Sequence, residues 1–282
     1  PIVQGLPNIH QQLAQAAFVL NQAVGQHVIR PELQRLHQRQ ALLSDTARPE
    51  AVKKRSAMGK RTARANIADL SDGSFTEYGG FAIAAQTNRR AMEELMEQTP
   101  ADGLITGLAT VNTDCFDESR CKVAVMAYDA TVLAGTQGFR NHQKTDRIVD
   151  LALAQQLPLV LFAEGGGGRP GDVDYPVVAG LHVASFAKFA ALNGRVPLVG
   201  ITTGRCFAGN AALLGCCDVI IATEDSNIGM GGPVMIEGGG LGVFTPEQIG
   251  PSQVQHANGV IDVLVQNEAQ AVQIAKQYLA FF

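Results

Sequence analysis

From about residue 101 onward, short apolar segments recur along the chain, and helical patterns separate several of them. The apolar segments are Leu104–Val111, Cys121–Tyr128, Leu157–Ala163, Val196–Ile201, Asp218–Ala222 and Val260–Val265. They are continuous rather than alternating, which predicts strands that are buried on both faces. Helical patterns cover Thr145–Gln156, Val178–Asn193, Ala208–Leu214, Pro246–Ala257 and Glu268–Phe282. This alternation predicts an α/β fold with a mainly parallel sheet covered by helices.

The first third of the chain has a different pattern. Residues 8–45 repeat apolar side chains at helical spacing, and Asn8 and Pro31 suit helix starts. The apolar faces are narrow, which predicts helices on the outside of a larger body. A charged stretch over Arg48–Arg64 follows and reads as a solvated link, and Asp69–Gly80 is rich in turn residues.

Composition and charge exclude some classes of function. The chain has 282 residues, of which 46% are hydrophobic, and its net charge is −4. These values argue against global disorder and against non-specific binding to nucleic acid. Residues 30–64 contain ten Lys and Arg but three Asp and Glu, so this stretch carries +7 and the remainder −11. A local anionic partner is one interpretation of that stretch, and a solvated face is the other.

The sequence shows no membrane segment and no metal motif. No apolar run reaches the length of a membrane span, and the start of the sequence lacks a signal-peptide pattern. The five cysteines form no Cys-x-x-Cys pair, so we expect no zinc site. Their odd number indicates free thiols in a reducing compartment, and we expect a cytoplasmic protein.

The strongest candidate for chemistry is a run of four glycines, Gly165–Gly168, directly after an apolar segment. Four glycines leave the backbone bare, so the loop can adopt positive φ and let a ligand approach the main chain. We interpret it as a loop that offers N–H groups to an anionic oxygen. The alternative is a flexible surface loop, but flexible linkers are usually Ser/Gly mixtures between domains.

Two other loops follow strands in the same way. Tyr128–Gly138 comes after one predicted strand and Gly204–Ala211 after another. The second leads into a helix of small residues, whose first N–H groups could meet a ligand. Tight packing of helix on strand is the alternative explanation for the small residues. Neither loop fits a dinucleotide fingerprint, and no phosphate loop of the Gly-Lys-Ser/Thr type is present.

Catalytic side chains are harder to find than backbone donors. The sequence has no Gly-x-Ser-x-Gly and no His-Glu-x-x-His motif. His142 and His256 lie near glycine-rich segments, but a lone histidine is usually a hydrogen-bonded structural residue. Glu164 and Asp172 flank the glycines, either as acid–base groups or, more simply, as an N-cap or an ion pair with Arg169. Backbone donors without an obvious base suit a reaction through an enolate whose base comes from elsewhere.

These loops resemble, in the same order, those of the biotin-dependent acyl-CoA carboxyltransferases, which belong to the ClpP/crotonase superfold. The matching segments are Glu164–Arg169, Gly204–Ala211, Asn227–Pro233, Gly59–Arg64, Asp72–Glu77, Asp102–Gly107, Gly135–Gly138, Pro246–Gly250 and His256–Asp262. The resemblance covers about residues 55–282 and is to the N-terminal half of the carboxyltransferase of acetyl- and propionyl-CoA carboxylases. It implies an α/β, ClpP/crotonase-like spiral of ββα units at 55–282, preceded by an N-terminal helical extension at 1–54.

The resemblance also implies site residues. The backbone N–H groups of Gly167 and Gly168 would form one oxyanion hole, and those of Gly209 and Asn210 a second. They would bind the thioester oxygen of an acyl-CoA as an enolate develops. Asn210 stands where the family commonly has glycine, and we expect its side chain to alter the fit of the acyl group. CoA contacts are implied for Gly135, Gly138, Lys144, Gly166, Arg169, Lys60 and Arg61.

In this family carboxybiotin supplies the CO₂ and takes the α-proton. No Met-Lys-Met biotin-attachment motif occurs in the sequence, so biotin is expected on a separate carrier domain or chain. The implied partners are acyl-CoA, the biotin carboxylase and biotin carboxyl carrier domains or subunits, and a C-terminal carboxyltransferase domain that this chain lacks. The full enzyme is expected to be a homo-oligomer, with no nucleic acid bound.

Other functions stay open at this point. A CoA-ester decarboxylase would use the same enolate. A crotonase-type hydratase would need a pair of glutamates, for which Glu164 and Glu237 are the candidates. A non-catalytic half-site that serves in assembly is a further interpretation, and the length of the acyl group is undetermined.

Overall fold

A computed structural model describes residues 30–175 and 183–282 of the chain. Residue contacts divide the chain into two units, 1–39 and 40–282. Apart from Arg30, the described part of the first unit belongs to helix α1 (Pro31–Ala41), in which no residue is buried. The helix predicted before residue 30, with its Asn8 cap, lies outside the described residues.

The second unit alternates strands and helices through most of its length. Its helices are α2 (Pro49–Ala57), α3 (Ala63–Leu70), α4 (Met92–Gln98), α5 (Phe139–Gln155), α6 (Ser185–Ala190), α7 (Gly209–Leu214), α8 (Pro233–Gly238), α9 (Ser252–Ala257) and α10 (Glu268–Leu279). Its strands are β1 (Phe75–Tyr78), β2 (Leu104–Thr110), β3 (Lys122–Tyr128), β4 (Leu159–Phe162), β5 (Gly165–Gly166), β6 (Leu198–Thr202), β7 (Arg205–Phe207), β8 (Val219–Thr223), β9 (Asn227–Gly229) and β10 (Val263–Val265). All six predicted apolar strands are confirmed.

The main sheet has the strand order β1-β2-β3-β4-β6-β8-β10. The first two pairings are antiparallel, and every pairing from β3 onward is parallel. Along β4, Leu159 and Leu161 join one hydrophobic cluster, with α5 and α7, whereas Val160 and Phe162 join another, with α3 and α10. Successive strand residues point to opposite faces, so a strand covered on both faces needs a continuous apolar run.

A second sheet contains three short parallel strands in the order β5-β7-β9, and each of them follows a strand of the main sheet. The chain runs from β4 into β5, from β6 into β7 and from β8 into β9, and a helix follows each short strand. An additional parallel bridge pairs Gln137, in the turn after β3, with Gly168. The repeated unit of long strand, short strand and helix agrees with the ββα units that the resemblance implied. It places the loops after β3, β4, β6 and β8 next to one another.

The prediction of a solvated charged link over Arg48–Arg64 is wrong for most of its cations. The stretch contains α2 and the start of α3, and five of its seven cations pair with carboxylates, whereas Lys53 and Lys54 are exposed. Arg48 bonds to Asp129 at 2.7 Å, and Arg64 bonds to Glu77 at 2.9 Å. The domain boundary expected at residue 54 stays a prediction.

Other element bounds differ from the sequence prediction for local reasons. The turn-rich stretch 69–80 contains β1, which pairs with β2. Helix α5 begins at Phe139 rather than Thr145, because the Asp172 carboxylate accepts the Phe139 N–H at 2.9 Å. The predicted helix 246–257 divides at Gly250, whose φ is +54°, into a 3₁₀ turn and α9. In the described part of the chain no helix is long and apolar enough to cross a membrane.

Candidate functional site

The two loops that the sequence singled out lie side by side. Gly165 pairs with Cys206 and Gly166 with Phe207, in the parallel ladder between β5 and β7. The next residues of the two segments, Gly167 and Ala208, are also close to each other. A Cβ added to Gly167 would lie 3.9 Å from the Cβ of Ala208. The structure therefore brings the segment with the first proposed donors against the segment with the second.

The four consecutive glycines have different structural reasons to be glycine. Gly165 has φ +95°, and a Cβ there would lie 2.4 Å from the Ala134 carbonyl oxygen. A Cβ on Gly166 would lie 2.7 Å from the Cβ of Phe207, which a folded chain does not tolerate. Gly167 adopts φ +78°, a region that favours glycine. The first two glycines thus allow close approach of backbones, and the third allows the turn.

Gly168 is the exposed member of the run, and a Cβ there would meet no atom within 4 Å. Gln137 N–H donates to Gly167 O, and Arg169 N–H donates to Gln137 O, both at 2.9 Å. Gln137 thus bonds to the residues before and after Gly168, as in a parallel bridge. The N–H of Gly168 itself therefore points away from Gln137. Its environment leaves room for a ligand beside the backbone.

The second loop turns sharply into α7 at a strained residue. Ala208 has φ +51° and ψ −120°, an arrangement that costs a residue with a Cβ about 1–3 kcal/mol. Its N–H donates to Gly229 O, and its carbonyl accepts from Ala212, both at 2.9 Å. The turn directs the first N–H groups of α7, those of Gly209 and Asn210, away from intrahelical partners. A Cβ on Gly209 would lie 2.0 Å from Gln137 Oε1, so the loop after β3 also packs against this turn.

The side chain of Asn210 ties these loops together. It is completely buried, and its Nδ2 donates to Glu164 O at 3.0 Å and to Gly135 O at 3.2 Å. The expectation that this side chain alters the acyl fit is therefore not supported, because it faces the interior. Asn210 instead links the start of α7 to the residue before the glycine run.

Arg169 lies at the end of the glycine loop with its guanidinium buried. It contacts the Asp102 carboxylate and donates to Thr136 O at 2.7 Å, and Asp172 lies 3.6 Å away. Burial raises the pKa of Asp102 to about 6, against the opposing effect of the Arg169 charge. These contacts hold the loop to the turns before β2 and α5. The CoA contact assigned to Arg169 stays a prediction, and the observed role is to hold the loop.

Lys144 is also buried, on α5. Its ammonium donates to Ala101 O at 2.8 Å and also to Leu104 O, and burial lowers its pKa to about 8. The lysine therefore fixes the turn that carries Asp102. Its predicted contact with CoA would require it to leave these carbonyls.

The remaining predicted CoA residues also have contacts within the chain. A Cβ on Gly135 would lie 2.4 Å from Glu164 O, and one on Gly138 would lie 2.4 Å from Arg169 Nη1. The close approach of loops explains both glycines. Lys60 bonds to Asp225 at 2.6 Å and Arg61 to Asp69 at 2.5 Å, in pairs whose carboxylates are exposed. For these residues, as for Gly166, contact with CoA stays a prediction.

The carboxylates beside the glycine loop serve structural roles. Glu164 forms an ion pair with Arg55, and not with Arg169 as the simpler interpretation had it. Asp172 lies close to Arg169 and also accepts the first N–H of α5, so that interpretation is confirmed for Asp172. Glu237 is exposed on α8. The glutamate pair of a hydratase is therefore not assembled from Glu164, whose two oxygens are both bonded to arginine.

The two candidate histidines are hydrogen-bonded within the fold. His142 Nδ1 lies 3.0 Å from Ser185 Oγ, which donates to Asp146 at 2.6 Å. His256 Nδ1 lies 3.0 Å from Ile261 O. Both contacts agree with the structural interpretation. Within the described residues no group of three His, Cys, Asp or Glu side chains could hold a metal ion.

Sequence reasoning missed three residues of the loop region. Gln137, in the loop after β3, contacts the loops after β4 and β6, and only its place in a glycine-bearing segment marked it. Ala208 adopts a glycine-like conformation that an alanine does not signal. Arg55 lies in a basic run that the sequence predicts to be solvated, because its partner Glu164 is 109 residues away in sequence.

The Carboxyl transferase domain family model matches residues 54–282 of the chain. A solved single-chain, multi-domain long-chain acyl-CoA carboxylase is 60% identical, with a TM-score of 0.85. The match covers 89% of this chain and 25% of that one. Transcarboxylase 12S, solved with hydrolysed methylmalonyl-CoA bound, is 26% identical with a TM-score of 0.69, over 87% of this chain and 46% of that one.

Among curated proteins, a biotin-dependent long-chain acyl-CoA carboxylase beta4 subunit from Mycobacterium tuberculosis is 27% identical. That match covers 90% of this chain and 46% of the subunit. A propionyl-CoA carboxylase beta chain from Saccharopolyspora erythraea is 29% identical, over 82% of this chain and 41% of its own. The chain therefore spans less than half the length of these curated relatives.

Proposed function

The chain belongs to the Carboxyl transferase domain family, and we propose that it forms the acyl-CoA half of the carboxyltransferase in a biotin-dependent acyl-CoA carboxylase. In this role it binds the thioester of an acyl-CoA and stabilises the enolate that accepts CO₂ at the α-carbon. The observation that carries the proposal is the adjacency of the two loops, with Gly168 open to a ligand and the start of α7 beside it.

Backbone N–H groups suit this task because they are fixed before the reaction begins. The proposed donors are Gly167 and Gly168 on one loop, and Gly209 and Asn210 on the other. Negative charge develops on the thioester oxygen as the α-proton leaves, and donors aimed at that oxygen stabilise the enolate more than the thioester. Removing one such donor typically costs about 3–4 kcal/mol, a factor of 10²–10³ in rate.

The donor set of the described residues fits a thioester oxygen, and we assign none of these residues to the biotin ring. Carboxybiotin on a carrier domain or subunit would supply the CO₂ and accept the α-proton. The side chains at the loops then need only position the substrate, which agrees with the bonded state of Glu164 and Asp172. We accordingly propose that a biotin carboxylase, a biotin carboxyl carrier and a C-terminal carboxyltransferase domain complete the enzyme, in a homo-oligomer.

We propose a long-chain acyl-CoA as the substrate. The support is the 60% identity to a solved long-chain acyl-CoA carboxylase, together with a curated long-chain relative. We also propose a cytoplasmic location, which agrees with five free cysteines and an exposed thiol at Cys115.

Calorimetric titration of acyl-CoAs of increasing chain length tests the binding half of the proposal. The titration uses this chain alone and again with the C-terminal carboxyltransferase domain. We expect binding that strengthens with acyl length, at least in the presence of the second domain. Absence of binding in both arms would leave only the assembly role. A flat response to acyl length would refute the long-chain assignment but not the acyl-CoA site.

Decarboxylation of a CoA ester uses the same enolate and is the alternative outcome of a product assay. A decarboxylase would remove CO₂ from a carboxylated acyl-CoA, whereas a carboxylase would add CO₂ from carboxybiotin to an acyl-CoA. The two activities therefore differ in whether labelled carbon leaves the CoA ester or accumulates in it.

A further inference from the structure

The glycine loop leaves the main sheet through Ala163 and Glu164, and Glu164 is held at both ends. Glu164 directly precedes Gly165. Its carboxylate accepts from Arg55 Nη1 at 2.6 Å and from Arg55 Nη2 at 2.5 Å. The Arg55 side chain is 8% exposed and that of Glu164 is 13% exposed. A two-bond contact of this kind fixes orientation as well as distance, because the guanidinium and the carboxylate are both planar.

Arg55 is itself fixed by neighbours on other segments. Its Nε donates to Arg61 O at 2.8 Å, and its Nη2 lies 3.8 Å from Glu268 Oε1. Glu268, at the start of α10, also accepts the Arg61 N–H at 2.7 Å. Burial alone would lower the pKa of Arg55, but the bond to Glu164 and the nearby carboxylates raise it overall. The guanidinium therefore stays charged, with donors directed at both α10 and the residue before the glycine run.

The other end of Glu164 is fixed by the second loop. Its carbonyl accepts from Asn210 Nδ2 at 3.0 Å, and Gly135 packs against the same carbonyl. The carboxylate also fills the space beside Gly204, where a Cβ would lie 2.5 Å from Oε1. Contacts to Arg55 and Asn210 thus determine the direction in which the chain enters Gly165–Gly168.

We propose that Arg55 and Glu164 are positioning residues of the thioester site, which set the direction of the Gly167 and Gly168 N–H groups through the start of the loop. This inference rests on the proposed function. Neither side chain touches substrate in this account. Catalysis in such sites is sensitive to geometry, since a displacement of about 1 Å can cost about 10²-fold in rate.

A matched ion pair elsewhere in the chain separates positioning from stability. Arg64 donates two bonds to Glu77, at 2.9 and 3.2 Å, so the pair has the same residue types and the same two-bond geometry. It joins α3 to β1 and contacts none of the loop glycines in the observed hydrogen bonds. Arg55→Lys and Arg64→Lys each keep the charge and lose the planar fork. Glu164→Gln and Glu77→Gln each keep the size and lose the charge.

The test uses an acyl-CoA labelled with ¹³C at the thioester carbonyl and isotope-edited infrared spectroscopy of the complex. Donors aimed at the carbonyl oxygen lower its stretching frequency, and a mere loss of stability does not. We expect Arg55→Lys and Glu164→Gln to lose most of this shift while the acyl-CoA dissociation constant changes little. In the assembled enzyme we expect kcat for carboxyl transfer to fall about 10²-fold with KM nearly unchanged. Arg64→Lys and Glu77→Gln should keep the wild-type frequency.

Two results would overturn the inference. One is a wild-type carbonyl frequency and kcat in both Arg55→Lys and Glu164→Gln. The other is an equal loss in the Arg64 and Glu77 variants, which would mean that any broken pair acts through stability. If Glu164→Gln does not fold, Arg55→Lys, which keeps one charged contact, decides the question. An unshifted carbonyl stretching frequency in the wild-type complex would instead refute the proposed function. This result requires no variant.

Discussion

Replacing Asn210 with alanine tests the link between the two loops. The change keeps the backbone N–H that we propose as a donor and removes only the side-chain amide. Two carbonyls, those of Glu164 and Gly135, lose their bonds from Nδ2 at 3.0 and 3.2 Å. The buried Asn210 Oδ1 accepts no hydrogen bond among the described residues, so its removal relieves part of the cost.

The magnitude follows from the burial of these groups. A buried carbonyl that loses its donor costs about 1–3 kcal/mol, and removing an unpaired acceptor returns roughly 1 kcal/mol. Because two carbonyls lose their donor, we expect Asn210→Ala to lower the free energy of unfolding by about 1–5 kcal/mol. Urea unfolding with unchanged m-value measures this loss. In the same variant the thioester carbonyl of bound acyl-CoA should lose part of its infrared shift, because the first loop is no longer held to α7.

Asn141 provides a close control for this prediction. It is also completely buried, donates through Nδ2 to Thr136 O at 3.1 Å and to Asp102 O at 3.4 Å, and has an unpaired Oδ1. Both of these carbonyls keep a bond from Arg169, so Asn141→Ala should lose less free energy of unfolding than Asn210→Ala and should leave the carbonyl frequency unchanged. If Asn210→Ala is as stable as the wild type, the hydrogen-bond reasoning is wrong. If both variants change the carbonyl frequency equally, the specific link between the loops is wrong.

Three further predictions concern the loop glycines, the basic residues and a buried lysine. Gly168→Ala should leave the free energy of unfolding nearly unchanged. Gly166→Ala should be strongly destabilised in urea unfolding, because its Cβ would lie 2.7 Å from a neighbouring side chain. Equal stabilities of the two variants would contradict this prediction. Lys60→Ala with Arg61→Ala should weaken CoA binding more at low salt than at high salt, and unchanged affinity at both salts would reject the contact. The pKa of Lys144 is lowered by burial from 10.5 to about 8, so the unfolded chain binds more protons between these pH values. The wild-type free energy of unfolding should therefore contain a rise of about 3 kcal/mol from pH 8 to 10.5 that Lys144→Met lacks, and parallel curves for the two proteins would refute this sign.

The apolar pattern predicted the main sheet well because its strands are buried on both faces. Leu159, Val160, Leu161 and Phe162 divide between two hydrophobic clusters, so a continuous run was required at β4. Elements with a weak apolar signal were missed. Strand β1 is half-exposed, and α2 has Arg55 as its buried residue, so neither shows the pattern of a core element.

The site was predictable as far as glycine reports on backbone geometry. Bare N–H groups at the strand ends followed from Gly165–Gly168, and the adjacency of the loops followed from the family resemblance. The contacts that hold the loops did not follow, because they join distant residues. Arg55 meets Glu164, and Asn210 meets Gly135, only after the ββα units are stacked. The conformation of Ala208 was hidden for a different reason, since alanine does not favour positive φ.

The central claim is that backbone donors of this chain stabilise an enolate that accepts CO₂. Transfer of ¹³C-labelled CO₂ from carboxybiotin to a long-chain acyl-CoA, followed by mass spectrometry, tests it directly in the assembled enzyme that contains this chain. We predict a labelled product carboxylated at the α-carbon, and a rate about 10²–10³-fold lower in Gly168→Pro, which lacks one proposed donor. No labelled product with any acyl-CoA, or an unchanged rate in Gly168→Pro, would contradict the account.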